Sequence, residues 1–271
     1  MRISVVIRYI GIVLLVLAAF MLVAAGMSYV NNVDSAYSPL VMSSLLTLLM
    51  GCFPMIFVPS TDRISQKEGF CIVVGAWLVS SVVGMFPYLM WGGEFTLINA
   101  WFESVSGFTT TGATILNDIE ALPKGLVFWR SSTHFIGGVG VVVFTLLVLP
   151  TMSTFRFKMT KMEISSLSKE NYRYRTKELI RIILSVYICI TILAFASLCL
   201  AGMPTFDAVN HAFSIVATGG FSTKNASIAF FNSGLIEWIL SIAMILMGER
   251  TSPLMIAPER EGSTREEVVI S

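Results

Sequence analysis

Five apolar runs, at about residues 6–26, 37–58, 69–91, 125–150 and 179–203, constrain this chain more than any other feature of it. Each is close to the ~20 residues that an α-helix needs to cross the ~30 Å hydrocarbon core of a bilayer. A shorter run follows at 234–248. Inside hydrocarbon no water is present to satisfy backbone N–H and C=O groups, so a spanning segment must bond to itself as a helix or close into a barrel. Continuous apolar runs without strict alternation select the helix. With 55% hydrophobic and only 13% charged residues, and a mean hydropathy of +0.78, the composition excludes an ordinary soluble domain. The expectation is an all-α, polytopic membrane protein.

Two local signals qualify that reading. Arg2 and Arg8 precede the first run in the manner of a secretory signal, yet a run of about 20 residues exceeds the ~7–15 of a signal core, so a retained helix is expected. The four cysteines, Cys52, Cys71, Cys189 and Cys199, fall inside apolar runs without metal-like or disulfide-like spacing and read as packing residues. No nucleophile–base pair, phosphate loop or metal cluster points to an enzyme, and neither a cofactor nor nucleic acid is expected as a partner.

Lysine and arginine set the orientation. If the N-terminus is cytoplasmic, the segments 1–8, 59–68, 151–181 and 249–271 lie on the cytoplasmic side and carry 2, 2, 8 and 3 basic residues, 15 of the chain's 18. That bias follows the positive-inside rule. Residues 92–124 and 204–233 then lie outside, and both hold unusual polar sequence.

Shifting the chain against itself by 108 positions lays "NAWFESVSGFTTTGAT" (99–114) on "DAVNHAFSIVATGGFS" (207–222). Ala100, Ser106, Thr110 and Gly112 meet Ala208, Ser214, Thr218 and Gly220, and the related Asn99 meets Asp207. The run 69–91 falls on 177–199, so an internal duplication of helix, polar loop and helix is expected. Each unit crosses the membrane twice, which makes the two units parallel rather than inverted.

Between the crossings, Thr96 to Phe108 makes about 20 Å of helix at ~1.5 Å per residue, too short to span. It can dip in from outside, and the chain must then return without helical hydrogen bonds. Non-helical backbone at that depth is tolerated only within protein or along a watery cavity. "TTTGAT" and "ATGGFS" are therefore expected to line an aqueous pathway. Gly112 and Gly220 can turn carbonyls toward an axis, and Thr110, Thr111 and Thr218 add neutral oxygens. Such oxygens, with the negative C-terminal ends of the short helices, suit a monovalent cation. Potassium, sodium and ammonium all remain open on this argument, and an anion does not.

"FESVSGFTTTGAT", "WRSSTHFIGGVGVVV" and "FDAVNHAFSIVATGGFSTKNASIAFFNS" resemble the TrkH-type subunit of bacterial Trk potassium uptake systems, within the Trk/Ktr/HKT superfamily. The resemblance covers residues 1–248. It implies two leading transmembrane helices (1–60), a first pore repeat (69–150), a basic cytoplasmic loop (151–177) and a second pore repeat (178–248). It places a potassium-binding selectivity filter at Thr110, Thr111, Gly112 and Ala113, and at Thr218, Gly219, Gly220 and Phe221. It further implies potassium as the transported ion, a homodimer in the inner membrane, and a cytoplasmic nucleotide-binding regulatory subunit of TrkA type. The family carries four pore units and this sequence two. Residues 249–271 hold eight charged residues and two prolines and read as a charged tail outside the resemblance. The expectation is a truncated, frameshifted or half-length relative, and the alternative to potassium transport is a remnant that inserts in the membrane without conducting alone.

Other residues have plainer readings. Gly137, Gly138 and Gly140 form a hinge or, more simply, a close-packing stripe. His134 and His211 have no second ligand nearby in sequence. Arg130 either snorkels or pairs with an acid at the outer mouth. Glu103 and Asp207 are candidate outer-mouth acids, Asp207 alternatively capping its helix. The basic run from Arg156 to Arg181 serves topology, a cytoplasmic partner or anionic lipid.

Overall fold

The computed structural model describes residues 2–59, 65–157 and 166–250. The charged tail beyond Arg250 and much of the basic run from Arg156 to Arg181 lie outside the described residues or outside those whose side chains are described. Among the described residues all regular structure is helical. The helices are α1 (Ile3–Val30), α2 (Tyr37–Phe57), α3 (Gln66–Gly84), α4 (Phe86–Trp91), α5 (Leu97–Phe108), α6 (Lys124–Phe157), α7 (Ser166–Leu200), α8 (Thr205–Val216) and α9 (Gly234–Arg250), with a short 3₁₀ turn at Ser227–Phe231.

Among the described residues, four segments, Ile3–Val30, Tyr37–Phe57, Lys67–Trp91 and Arg181–Leu200, are long and apolar enough to cross a membrane. Their outward faces are apolar as well: Met42, Leu49, Phe53 and Ile56 on α2 and Ile188 and Ile192 on α7 are exposed. Contiguous apolar surface of this kind suits lipid, whose tails are as apolar as leucine, and would be a liability in water.

α1 and α2 form a close antiparallel hairpin. Gly11 and Gly51 face one another across it, each so near the other's backbone that a Cβ on either would lie 2.9–3.0 Å from the opposite carbonyl oxygen. The hairpin turns at Asn32 and Val33, both with positive φ, and Asp34 organises the turn by accepting from the Ser28 hydroxyl and from the backbone N–H groups of Ala36 and Gly125. α3 opens with a capping box, Ser65 accepting from the Glu68 N–H while the Glu68 carboxylate accepts from the Ser65 N–H. Arg2 donates to the same carboxylate, which ties the N-terminus to α3.

The run at 69–91, expected as one helix, is broken at Met85 into α3 and α4. Pro87 is the reason: it has no N–H to give to Val83, and its ring crowds that carbonyl. The neighbouring Gly84 carbonyl, loosened from the helical ladder, accepts from the Trp129 indole N–H at 3.1 Å.

One core cluster lies among α1, α2 and α3–α6, and a second among α7, α8 and α9. α6 joins them, packing on α1, α2, α3, α5, α7 and α8. It runs between the two clusters as a central post.

Candidate functional site: two matched loops on one helix

α5 and α8 each have 12 residues, and their boundaries coincide under the shift of 108 positions. Their C-terminal ends are built alike to the level of single hydrogen bonds. After α5, the Thr110 N–H donates to Gly107 O and the Thr111 N–H to Ser106 O; after α8, the Thr218 N–H donates to Ile215 O and the Gly219 N–H to Ser214 O. This is a Schellman ending, whose pivotal residue sits in the left-handed region and is usually glycine. Here it is threonine both times, Thr110 and Thr218, each with φ of 53°. A β-branched residue held there costs about 1–2 kcal/mol. Two residues later the backbone turns positive again, at Gly112 (φ 76°) and Gly220 (φ 93°).

The two loops touch. A Cβ on Gly112 would collide with the Gly219 carbonyl oxygen, and one on Gly219 would collide with the His134 ring. Gly220 has nothing within 4 Å of a Cβ, so its glycine is required by φ alone. Thr111, Thr218 and Gly220 are exposed, Thr110 and Gly112 half-buried, and Gly219 buried. Ser106 donates to Ala113 O at 2.5 Å, holding the first loop back on its helix.

A single face of α6 seats both loops. Its residues Arg130, Thr133, His134, Gly137 and Gly138 recur at helical spacing, so they form one stripe. Gly137 lies against the backbone of Phe108 at the end of α5, and Gly138 against Ala217 at the end of α8. The glycines expected as a hinge or a packing stripe thus serve close packing, and Gly140 lies similarly against Trp77. Thr133 fills the space at Gly107. The His134 Nδ1 is 3.1 Å from the Ser214 hydroxyl, and its ring stacks on Phe221 at 3.9 Å.

Arg130 does not snorkel but pairs with an acid, the second of its two expected readings. It is 2% exposed and bonds the carboxylate of Glu103, itself fully buried, at 2.5 Å. A second N–H donates to Ser222 O at 3.1 Å. The guanidinium carbon also lies 3.6 Å from the Phe221 ring centroid. Two planar groups this near one centroid cannot share a face, so Phe221 is sandwiched between Arg130 and His134. Glu103, expected as a candidate mouth acid, therefore has its charge offset by Arg130 and accepts from the Thr114 hydroxyl and the Ile115 N–H as well. Asp207 does not cap α8 through its side chain; it accepts from the Thr223 hydroxyl at 2.6 Å, tying the start of α8 to the exit of the second loop.

Each loop exit is braced from equivalent places. Glu103 holds Thr114, and at the positions 108 further on His211 bonds Ser222 at 3.1 Å. Farther out, Asn225 joins the two units by accepting from the Ile119 N–H and donating to the Asp118 carboxylate. Sequence reasoning missed Thr114, Ser222 and Asn225; only the shift of 108, which pairs Thr114 with Ser222, held any hint of the first two.

The settings of the short helices differ. α8 is enclosed, Phe206 and Val209 packing against the first core cluster, whereas the equivalent α5 positions, Ile98 and Trp101, are exposed.

Apolar helices long enough to span a bilayer, arranged round two matched short-helix-and-loop segments, define a polytopic membrane protein with an internally duplicated centre. The family model described as "TrkH: Cation transport protein" matches residues 50–256, past the Gly248 boundary expected from sequence. The chain belongs to this family. It is 36% identical over 188 residues to the Trk system potassium uptake protein TrkH of Salmonella typhimurium, covering 69% of this chain and 39% of that protein. It is 31% identical over 246 residues to TrkH of Escherichia coli K12, covering 89% and 50% respectively. The crystal structure of the potassium transporter TrkH from Vibrio parahaemolyticus superimposes with a TM-score of 0.77 at 30% identity, over 91% of this chain and 50% of that one. The chain thus spans about half the length of these relatives or less.

Proposed function

We propose that the chain acts in potassium uptake as part of a Trk-type system, with the loops after α5 and α8 forming two walls of a cation filter. The observation that carries this reading is the repeated backbone: Thr110 and Thr218 at the same strained φ, each followed by Gly112 or Gly220 with positive φ, in two loops that touch. Strain held twice at equivalent positions is found where a geometry is used, because folding alone would favour glycine. The ligands in this reading are oxygens of Thr110, Thr111, Gly112, Thr218, Gly219 and Gly220. Carbonyl and hydroxyl oxygens replace the hydration shell of a monovalent cation, and the C-terminal ends of α5 and α8 lead into the loops with the negative end of each helix dipole.

At about 18 Å each, α5 and α8 are too short to cross a bilayer. They are read as re-entrant helices entering from the outer side, within two parallel repeats that follow two leading helices. The lysine and arginine bias supports an inner-membrane protein with its N-terminus in the cytoplasm. The relatives named above are potassium uptake proteins, which favours potassium over sodium and ammonium. A homodimer and a TrkA-type regulatory subunit are the partners that the resemblance supplies. Nothing in the fold or the comparisons favours the non-conducting reading over this one.

The test is potassium and sodium flux into a potassium-uptake-deficient bacterium expressing the chain, as wild type and as Gly112→Ser and Gly220→Ser. Potassium-selective uptake that loses its preference in the glycine variants is expected. Selective uptake left unchanged by both substitutions overturns the filter assignment, and no uptake by the membrane-inserted wild type, alone or with the other components of a Trk-type system, overturns the transport reading.

A further inference from the structure

We infer that Arg130 is a positioning residue for both loops, and that its guanidinium sets the filter's discrimination between potassium and sodium without touching the ion. The inference rests on the filter assignment proposed above.

The exits of both loops meet at this one side chain. Through Glu103 it reaches the first: the carboxylate bonded to Arg130 accepts from the Thr114 hydroxyl at 3.0 Å and from the Ile115 N–H at 3.3 Å. Directly it reaches the second, donating to Ser222 O and lying over the Phe221 ring. Thr114 and Ser222 occupy equivalent places, each two residues beyond the glycine of its loop. A displacement of the guanidinium therefore moves both loops together.

Stability alone gives no reason for an ion pair here. Burying both charges is expensive, and an apolar pair of similar volume would join α5 to α6 at least as well. What a guanidinium adds is geometry. It is a rigid planar fork with five donors, able to serve a carboxylate, a carbonyl and an aromatic face at once. A lysine ammonium keeps the charge but has neither the plane nor the fixed fork. The two units also differ in a telling way. In the second, His211 already braces Ser222 from the position equivalent to Glu103, so the contact from Arg130 is additional. That extra contact couples one loop to the other.

A cation filter discriminates by the placing of its oxygens, and bidentate or stacked arginine sites do not tolerate lysine as an equivalent. The test measures potassium uptake, with sodium as competitor, in cells expressing the full chain as wild type, Arg130→Lys, Glu103→Gln and Phe221→Leu, with the amount in the membrane determined for each. For Arg130→Lys, a rise in the half-saturating potassium concentration and about a tenfold loss in the potassium-to-sodium ratio are expected, the scale of one hydrogen bond to a charged group. Glu103→Gln and Phe221→Leu should shift the ratio in the same direction by smaller factors. A merely structural role predicts something different: fewer folded molecules and a lower maximal rate for both ions, with half-saturation and ratio unchanged. That result overturns the inference. Should Arg130→Lys fail to insert, Phe221→Leu decides, since it leaves the ion pair in place and an unchanged ratio there is equally fatal. Absence of any potassium preference in the wild type would remove the filter assignment itself, an outcome separate from selective transport that is indifferent to Arg130.

Discussion

Gly137→Ala tests whether α6 is the seat of the first loop. A Cβ at this position would collide with the Phe108 carbonyl oxygen and lie 2.8 Å from its carbonyl carbon and 3.0 Å from its Cα, where ordinary contacts begin at 3.4 Å. The atoms met are backbone at the end of α5, not the tip of a flexible side chain, so no rotamer change can relieve the clash. Helix and loop must separate by roughly an ångström in a region packed at crystal-like density. Overpacking of this kind costs about 1–3 kcal/mol. Against it stands the gain of alanine over glycine within a helix, about 0.5–1 kcal/mol. The net expectation is a loss of up to about 2.5 kcal/mol, or up to roughly 10 °C in the melting temperature of a chain this size. Gly26→Ala is the matched control. It makes the same chemical change inside α1, where nothing lies within 4 Å of the new Cβ, so it should raise stability by about 0.5–1 kcal/mol. The assay is thermal unfolding of the detergent-solubilised chain followed by tryptophan fluorescence. If Gly137→Ala melts at or above the wild-type temperature, the close seat of α5 on α6 is wrong.

Thr110→Gly and Thr218→Gly should each raise stability, because relief of about 1–2 kcal/mol of left-handed strain exceeds the ~0.5–1 kcal/mol entropic cost of glycine; a melting temperature lowered by both would show that the threonines are not strained. The same variants should lose ion preference in the flux assay while gaining stability, as expected where strain is kept for function. The Asp118 carboxylate is held below its usual range, chiefly by the hydrogen bond from Asn225. Because its pKa is depressed on folding, its contribution is present above the unfolded value of about 3.9 and is lost as pH falls through the folded value. Wild type and Asp118→Asn should therefore melt apart near neutral pH and converge in acid; a gap that stays constant with pH would refute the latch.

Much of the architecture was legible in the residues because its cause is local or periodic. A run of apolar residues loses water along its own length, whichever helix it later meets, and so the positions of α1, α2, α6, α9 and the apolar part of α7 could be read directly, though not the polar start of α7 from Ser166. The shift of 108 predicted the matching of α5 with α8 and of their loops. The break at Met85 was also written in the chain, since Pro87 cannot continue the ladder, but hydropathy does not register it. Local rules erred at the ends of the short helices. They favour glycine as the left-handed residue and so draw attention to Gly112 and Gly220, while the first left-handed position in each loop is a threonine. Only packing of the loop against α6 can hold it there.

The sequence by itself determined the solvent, the helices, the duplication and the two places where polar backbone interrupts them, because each follows from composition or spacing along one chain. The tertiary structure alone decided that Arg130 bonds Glu103 and Ser222, 27 and 92 residues away, that Phe221 lies between Arg130 and His134, and that Gly137 and Gly138 seat one loop each. A buried polar group must find a partner, but which partner depends on how helices dock, and docking leaves no period in the sequence from which it could be read.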